Sequence, residues 1–290
     1  YEERKKTKSI PNNARPAAAG RPLGVIDLYQ TMKKCWASTL GDCDTKISKE
    51  HIISNSILDP KINVIGFEWC KETPKTIGAS SLTSTFLCKK HNAELSPCDA
   101  EILKFKTAND KFNRMMGVIN RYGFQKKKIP FTYHVNGRLL EKWFCKTLIN
   151  VSLLDKENPI ENLPEILPYI FKDKVFKEPY GLNSAAKVNQ VIVHKYGTDI
   201  GLGPLYNKIE SSKIELIGGY FTFQGLHFIL LIPGTALPFK NNKLNMRIPN
   251  PRLAEDWNNL DLHWHQGKIN QTSKIGRKTY EVQSLIIDWN

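Results

Sequence analysis

The order in which metal-ligating residues recur between Cys35 and Asp99 constrains this chain more than any other feature. Cys35-Trp-Ala-Ser-Thr-Leu-Gly-Asp-Cys43 comes first, then Lys49-Glu50-His51-Ile52-Ile53, then Leu87-Cys88-Lys-Lys-His91-Asn92. Two cysteines and a Cys-x2-His pair make a complete tetrahedral zinc set. A site built from Cys35, Cys43, Cys88 and His91 clamps two distant segments and fixes whatever lies between them. Cys70 falls inside the clamped stretch and competes with Cys43 as the fourth ligand.

Glu50, His51 and Asn92 are the residues such a clamp brings together. A carboxylate and an amide oxygen are hard ligands suited to Mg²⁺ or Mn²⁺. A neutral imidazole beside them takes a proton from water. One metal, one base and one activated water suffice for phosphodiester hydrolysis. Adjacent residues on a strand point to opposite faces, so Glu50 and His51 share a site only where the backbone is locally irregular.

The stretch resembles the HNH, or ββα-metal, endonuclease family over roughly residues 33–120. Glu50-His51-Ile52-Ile53 matches that family's acid-histidine pair, and Cys88-x2-His91-Asn92 matches its second zinc knuckle and following asparagine. The resemblance implies a zinc-stabilised ββα domain. His51 would be its general base, Glu50 and Asn92 its ligands for catalytic Mg²⁺ or Mn²⁺, and Cys35, Cys43, Cys88 and His91 its structural zinc ligands. It implies endonuclease activity, with DNA the expected substrate over RNA. Three features depart from the family pattern. Seven residues rather than two separate Cys35 from Cys43, His91 stands for a commoner cysteine, and residues 54–87 form a long segment between the motifs.

Charge points the same way. The 290 residues carry 42 Lys+Arg against 28 Asp+Glu, a formal net charge of +14. That balance suits a polyanionic partner, nucleic acid or an anionic membrane surface. Lys126-Lys127-Lys128 is the densest basic run and a candidate nucleic-acid contact. No apolar run approaches the ~18–20 residues that span a bilayer, so no membrane association is expected. The cysteines are badly spaced for a disulfide framework, and a reducing, cytoplasmic setting is the expectation.

The chain has room for about two domains. Residues 1–22 read as a basic flexible arm, 23–128 as the nuclease-like domain, and 129–290 as an α+β domain of unknown role with an antiparallel sheet. Local patterns predict a short helix over 24–35, a strand over 46–53 and a strand over 64–69. Ser96-Pro97 should open a helix of roughly twenty residues with Ile102, Phe105, Ala108 and Phe112 on one face. An amphipathic helix is expected from Gly137 to Ile149, with Arg138, Glu141, Lys142 and Lys146 off its apolar face. Residues 155–168 read as a Pro-rich connection. Strands are expected at 187–196, 214–217, 220–223, 226–232 and 280–289.

His263 and His265 share a face if they lie on a strand, but lack a third ligand at a telling distance, so a surface aromatic cluster is the preferred reading. The competing functional class is a zinc-stabilised nucleic-acid-binding protein without hydrolytic activity. Only Glu50, His51 and Asn92 separate the two classes, because a pure binder needs no base beside hard ligands.

Overall fold

A computed structural model describes residues 35–122, 131–154, 160–185, 200–210, 213–223, 226–234, 239–240, 243–244, 262–275 and 278–290. The arm expected over 1–22, the helix expected over 24–35 except for Cys35 itself, the Lys126–Lys128 run and the strand expected at 187–196 lie outside the described residues.

The N-terminal half contains β1 (Ile47–His51), β2 (Lys61–Val64), β3 (Lys75–Gly78), β4 (Thr83–Cys88), α1 (Lys89–Glu94) and α2 (Ser96–Tyr122). Next come β5 (Phe131–Asn136), α3 (Gly137–Ser152), α4 (Leu163–Phe171), β6 (Gly181–Ala185), β7 (Ile200–Glu210), β8 (Lys213–Phe223) and β9 (Leu226–Leu231). The C-terminal part adds β10 (Phe239–Lys240), β11 (Lys243–Leu244), β12 (Leu262–Trp264), β13 (Lys268–Ile275) and β14 (Lys278–Asp288).

The fold is mixed α+β, and its largest sheet is antiparallel throughout, in the order β12-β6-β9-β8-β7. A second sheet, β13-β14-β5, combines an antiparallel hairpin with a parallel β14–β5 pair. β1 and β4 form an antiparallel pair of their own, and β2 and β3 another within the segment that joins them.

α3 explains why these units share a core. Its side chains from Leu140 to Asn150 are buried on nearly every face, apart from the half-buried Lys142. Trp143, Phe144 and Leu148 form the apolar part, and the Phe144 ring lies 4.1 Å from that of Phe221 on β8. From α2, Phe105 reaches the same sheet, 5.4 Å from Phe223 and 5.7 Å from Phe228. One apolar cluster therefore runs from Ile52, Phe86 and Leu87 through α2 and α3 to the five-stranded sheet. Each fully buried aromatic side chain in it contributes about 1.5–3 kcal/mol. The position expected for a domain boundary, after residue 128, lies outside the described residues, and the helices on either side of it pack together.

Several local expectations need correction. The strand expected at 64–69 ends at Val64, because Gly66 turns the chain with φ +93° and Glu68–Cys70 continues as a 3-10 turn. Within residues 155–168, read as a Pro-rich connection, α4 begins at Leu163 and runs on to Phe171. Pro164 sits in its first turn, where no N–H is needed, and the apolar Ile166, Leu167 and Ile170 are buried. Gly218-Gly219 does not separate two strands but lies inside β8. A Cβ at Gly218 would come within 2.0 Å of the Leu230 carbonyl oxygen, and one at Gly219 within 2.3 Å of Leu148 Cδ2. Glycine is there for close approach, not for a turn. Glu141 and Lys146, expected off the apolar face of α3, are 3% and 2% exposed.

Candidate functional site

Two side-chain groups flank the β1–β4 pair. The first is a thiol-imidazole cluster. Residues 35–46 form a loop whose Trp36 N–H donates to the Phe86 carbonyl of β4 at 2.9 Å. Within the loop, Ser38–Leu40 makes a 3-10 turn that Gly41 closes at φ +82°, a left-handed conformation suited to glycine. That turn folds the seven intervening residues back, so Cys35 and Cys43 face the same point. Cys88 ends β4 and precedes α1, and His91 lies in the first turn of α1, which packs on both strands of the pair.

The four ligand atoms all lie within 4.8 Å of one another. His91 Nδ1 is 3.5 Å from Cys35 Sγ, 3.7 Å from Cys43 Sγ and 3.2 Å from Cys88 Sγ. Donors bound to one tetrahedral zinc at ~2.3 Å for sulfur and ~2.0 Å for nitrogen stand about 3.6 Å apart. His91 Nε2 faces Asp42 Oδ1 at 3.0 Å, so the proton belongs on Nε2 and Nδ1 is left as the ligand. A carboxylate behind a ligating histidine fixes both tautomer and ring orientation. The ring is fully buried and meets Phe171 of α4 edge-on at 4.9 Å. The group could hold a metal such as zinc. Cys43 completes it, whereas Cys70 is buried in its own 3-10 turn outside the cluster.

The thiols differ in their surroundings. Burial pushes Cys35 up to about 12. Burial acts in the same direction on Cys88, but the backbone N–H groups of His91 and Asp44, with the neighbouring thiols, bring it below the ordinary thiol value. Cys88 is thus the ligand most ready to lose its proton. Cys145, by contrast, is wholly buried in α3, and burial pushes its thiol up as for an inert core cysteine.

The second group gathers around Glu50 and His51 at the end of β1. The register of β1 against β4 slips between Ser48 and Glu50. Ser48 pairs with Leu87 but Glu50 with Ser84, so two β4 residues stand opposite the single Lys49. A bulge of this kind re-aims side chains. Glu50 is 3% exposed, and its Oε1 lies 2.5 Å from Lys146 Nζ. Lys146 also donates to both oxygens of Asp99, at 3.1 and 3.0 Å. Ser54 donates to Asp99 Oδ1, and the Trp143 indole N–H donates to Ser54 Oγ at 2.7 Å.

His51 is half-buried, and its Nε2 has no hydrogen-bond partner among the described residues. Burial holds its pKa below the ordinary value, with Asp99 pulling it up and Lys146 pushing it down. The same two charges act on Glu50, whose carboxyl burial raises against the pull of Lys146. Lys146 stays protonated: burial opposes its charge, but Glu50 and Asp99 together raise its pKa. Among the described residues, Glu50 Oε2 and Ser84 Oγ are buried without partners. Asn92 is half-buried on α1 and makes no side-chain hydrogen bond among the described residues; its carbonyl accepts from Leu95 N–H at 3.2 Å.

The chain matches no protein-family model, no curated protein and no solved structure. Its chemistry must therefore be read from the side chains.

Asp99 and Lys146 are the members of this group that sequence patterns hide. Asp99 looks like a first-turn helix acid, and Lys146 like a solvated lysine on a polar face. His265 is placed otherwise than as a metal ligand. It stacks between Trp264 and Trp289, both at 3.9 Å, and its Nε2 meets Glu141 Oε1 at 2.9 Å, while His263 is exposed. Trp264 donates its indole N–H to the Tyr180 carbonyl at 2.5 Å.

Proposed function

We propose that this chain is an endonuclease that hydrolyses phosphodiester bonds, with His51 as general base and DNA as the favoured substrate. The observation that carries the proposal is that Glu50 and His51, neighbours at the end of β1, both feel the charges of Asp99 and Lys146, with Glu50 joined to Lys146 directly. A histidine kept neutral by burial, with an uncommitted ring nitrogen, is suited to accept a proton from an attacking water. The succession of β1, β4 and a helix behind a Cys3His cluster is what the resemblance to HNH nucleases predicts.

The cluster of Cys35, Cys43, Cys88 and His91 is assigned to structural zinc, holding β1 and β4 at a fixed distance from α1. Glu50 and Asn92 are assigned to a catalytic Mg²⁺ or Mn²⁺, which would supply Lewis-acid polarisation of a phosphoryl oxygen. The donor that recommends Glu50 is its orphaned Oε2, since Oε1 is committed to Lys146.

That same commitment favours a second reading. A glutamate already neutralised by a buried lysine has less need of a metal, and a zinc-stabilised nucleic-acid-binding protein without catalysis would retain the pair for structure alone. Incubation with single- and double-stranded DNA and RNA, with and without added Mg²⁺ or Mn²⁺, tests between them. The nuclease reading expects cutting of at least one of these that requires His51; binding without cutting of any of them supports the second reading.

A further inference from the structure

A concavity of about 400 Å³ opens beside the first turns of α3, between that helix and the segment following α4. Arg138 and Lys142 line it from α3, and Lys172 and Lys174 from the facing segment. Arg138 and Lys142 are half-buried, yet neither makes an ion pair or hydrogen bond among the described residues. Cations that line a concave wall without an acidic partner focus positive potential there, which favours an anion. The two acids in the wall do not serve. Glu141 is taken by His265 and by the Leu182 amide at 2.7 Å, and the exposed Asp173 pairs with neither cation.

The ligand's chemistry follows from what is missing as well as from what is present. Tyr169 lines the concavity, but Phe176 stacks on its ring at 4.3 Å and Lys174 lies over it at 4.5 Å, so no ring face is left for a base. The wall is suited to oxyanions. Arg138, Lys142 and Lys146 also fall at four-residue spacing on one face of α3, so they are stepped by about 6 Å along the helix. The third step is the lysine that joins Glu50 and Asp99.

We infer that this concavity is a phosphate-binding subsite, in which Arg138 and Lys142 hold the backbone of a nucleic-acid strand whose reacting bond lies at His51. The inference deepens the nuclease reading and rests on it for the identity of the strand. Each cation displaces one condensed counterion, so affinity gained here is salt-dependent and indifferent to base sequence.

The test compares full-length wild type, Arg138→Gln/Lys142→Gln and Arg138→Lys/Lys142→Arg by fluorescence anisotropy on a labelled single strand and a labelled duplex over a salt series. Loss of two phosphate contacts lowers the slope of log affinity against log salt by about 1.4 on a single strand and about 1.8 on a duplex. On the single strand this equals roughly a 25-fold loss at 0.1 M salt if the proteins converge at 1 M. The charge-conserving variant should regain most of the slope, with circular dichroism showing all three equally folded.

Unchanged slope and affinity in the glutamine variant overturn the inference, as does a wild type that binds neither strand. Inorganic phosphate or a mononucleotide competing as tightly as the oligonucleotide also overturns it, since the site would then hold a small free phosphate. His51→Ala separates this inference from the catalytic one. Weakened binding in the glutamine variant, with no cutting by wild type, leaves the subsite and removes the nuclease. Normal binding with His51-dependent cutting does the reverse.

Discussion

Lys146 Nζ and Glu50 Oε1 lie 2.5 Å apart, with both side chains 3% exposed, and join the middle of α3 to the end of β1. Truncating one partner of a buried pair costs about 3–5 kcal/mol, because it strands the other charge. Lys146→Ala should therefore destabilise the protein by that order in urea unfolding. Lys146→Met combined with Glu50→Gln should cost distinctly less than the two single changes added together. Additivity of the two would show that the pair is not coupled.

Zinc content should follow the four convergent residues. Metal analysis is expected to find about one tightly held zinc per chain. Cys88→Ser should release it and unfold the β4–α1 junction, since binding energy at such a site is folding energy. Cys70→Ser should keep it, because Cys70 lies outside the cluster. A well-folded protein free of zinc would contradict the assignment.

The pH dependence has a definite sign. His51 in the folded chain sits below its ordinary 6.5 because it is buried. The unfolded chain then binds more protons in the window below 6.5, so the stability His51 contributes is present above that value and lost as pH falls through the folded pKa. The acid limb of cleavage should likewise fall below pH 6.5. Asp99 raises the His51 pKa, so Asp99→Asn should move the limb to still lower pH. Following the His51 ring signals by NMR reports the same shift without relying on turnover. Movement upward in Asp99→Asn would contradict this electrostatic picture.

Sequence patterns carried the local elements with strong periodicity or ligand spacing. The face of α2 formed by Ile102, Phe105, Ala108 and Phe112 is buried as the period requires, and the helix opens at Ser96 as its Ser-Pro start suggests. Cys35, Cys88 and His91 were legible as ligands. Cys43 was legible as a candidate ligand with Cys70 as its competitor, because nothing in the spacing reveals the turn at Gly41. The bulge at Lys49 was invisible, since register is a property of two strands. Lys146 and Asp99 escaped for a related reason. Each looks solvated within its own helix, and only the packing of α2, α3 and β1 brings them to Glu50. α4 was hidden by its prolines, which discourage a helix locally but are tolerated by one that buries Ile166, Leu167 and Ile170.

The most direct test of the central claim is cleavage by wild type and His51→Ala on the same nucleic acid with added Mg²⁺ or Mn²⁺. Zinc content, folding and binding affinity are matched beforehand. A general base contributes about 10²–10⁴-fold, so the account predicts that His51→Ala retains fold, zinc and binding but loses cutting by at least that factor. Equal cutting by the two proteins would contradict it.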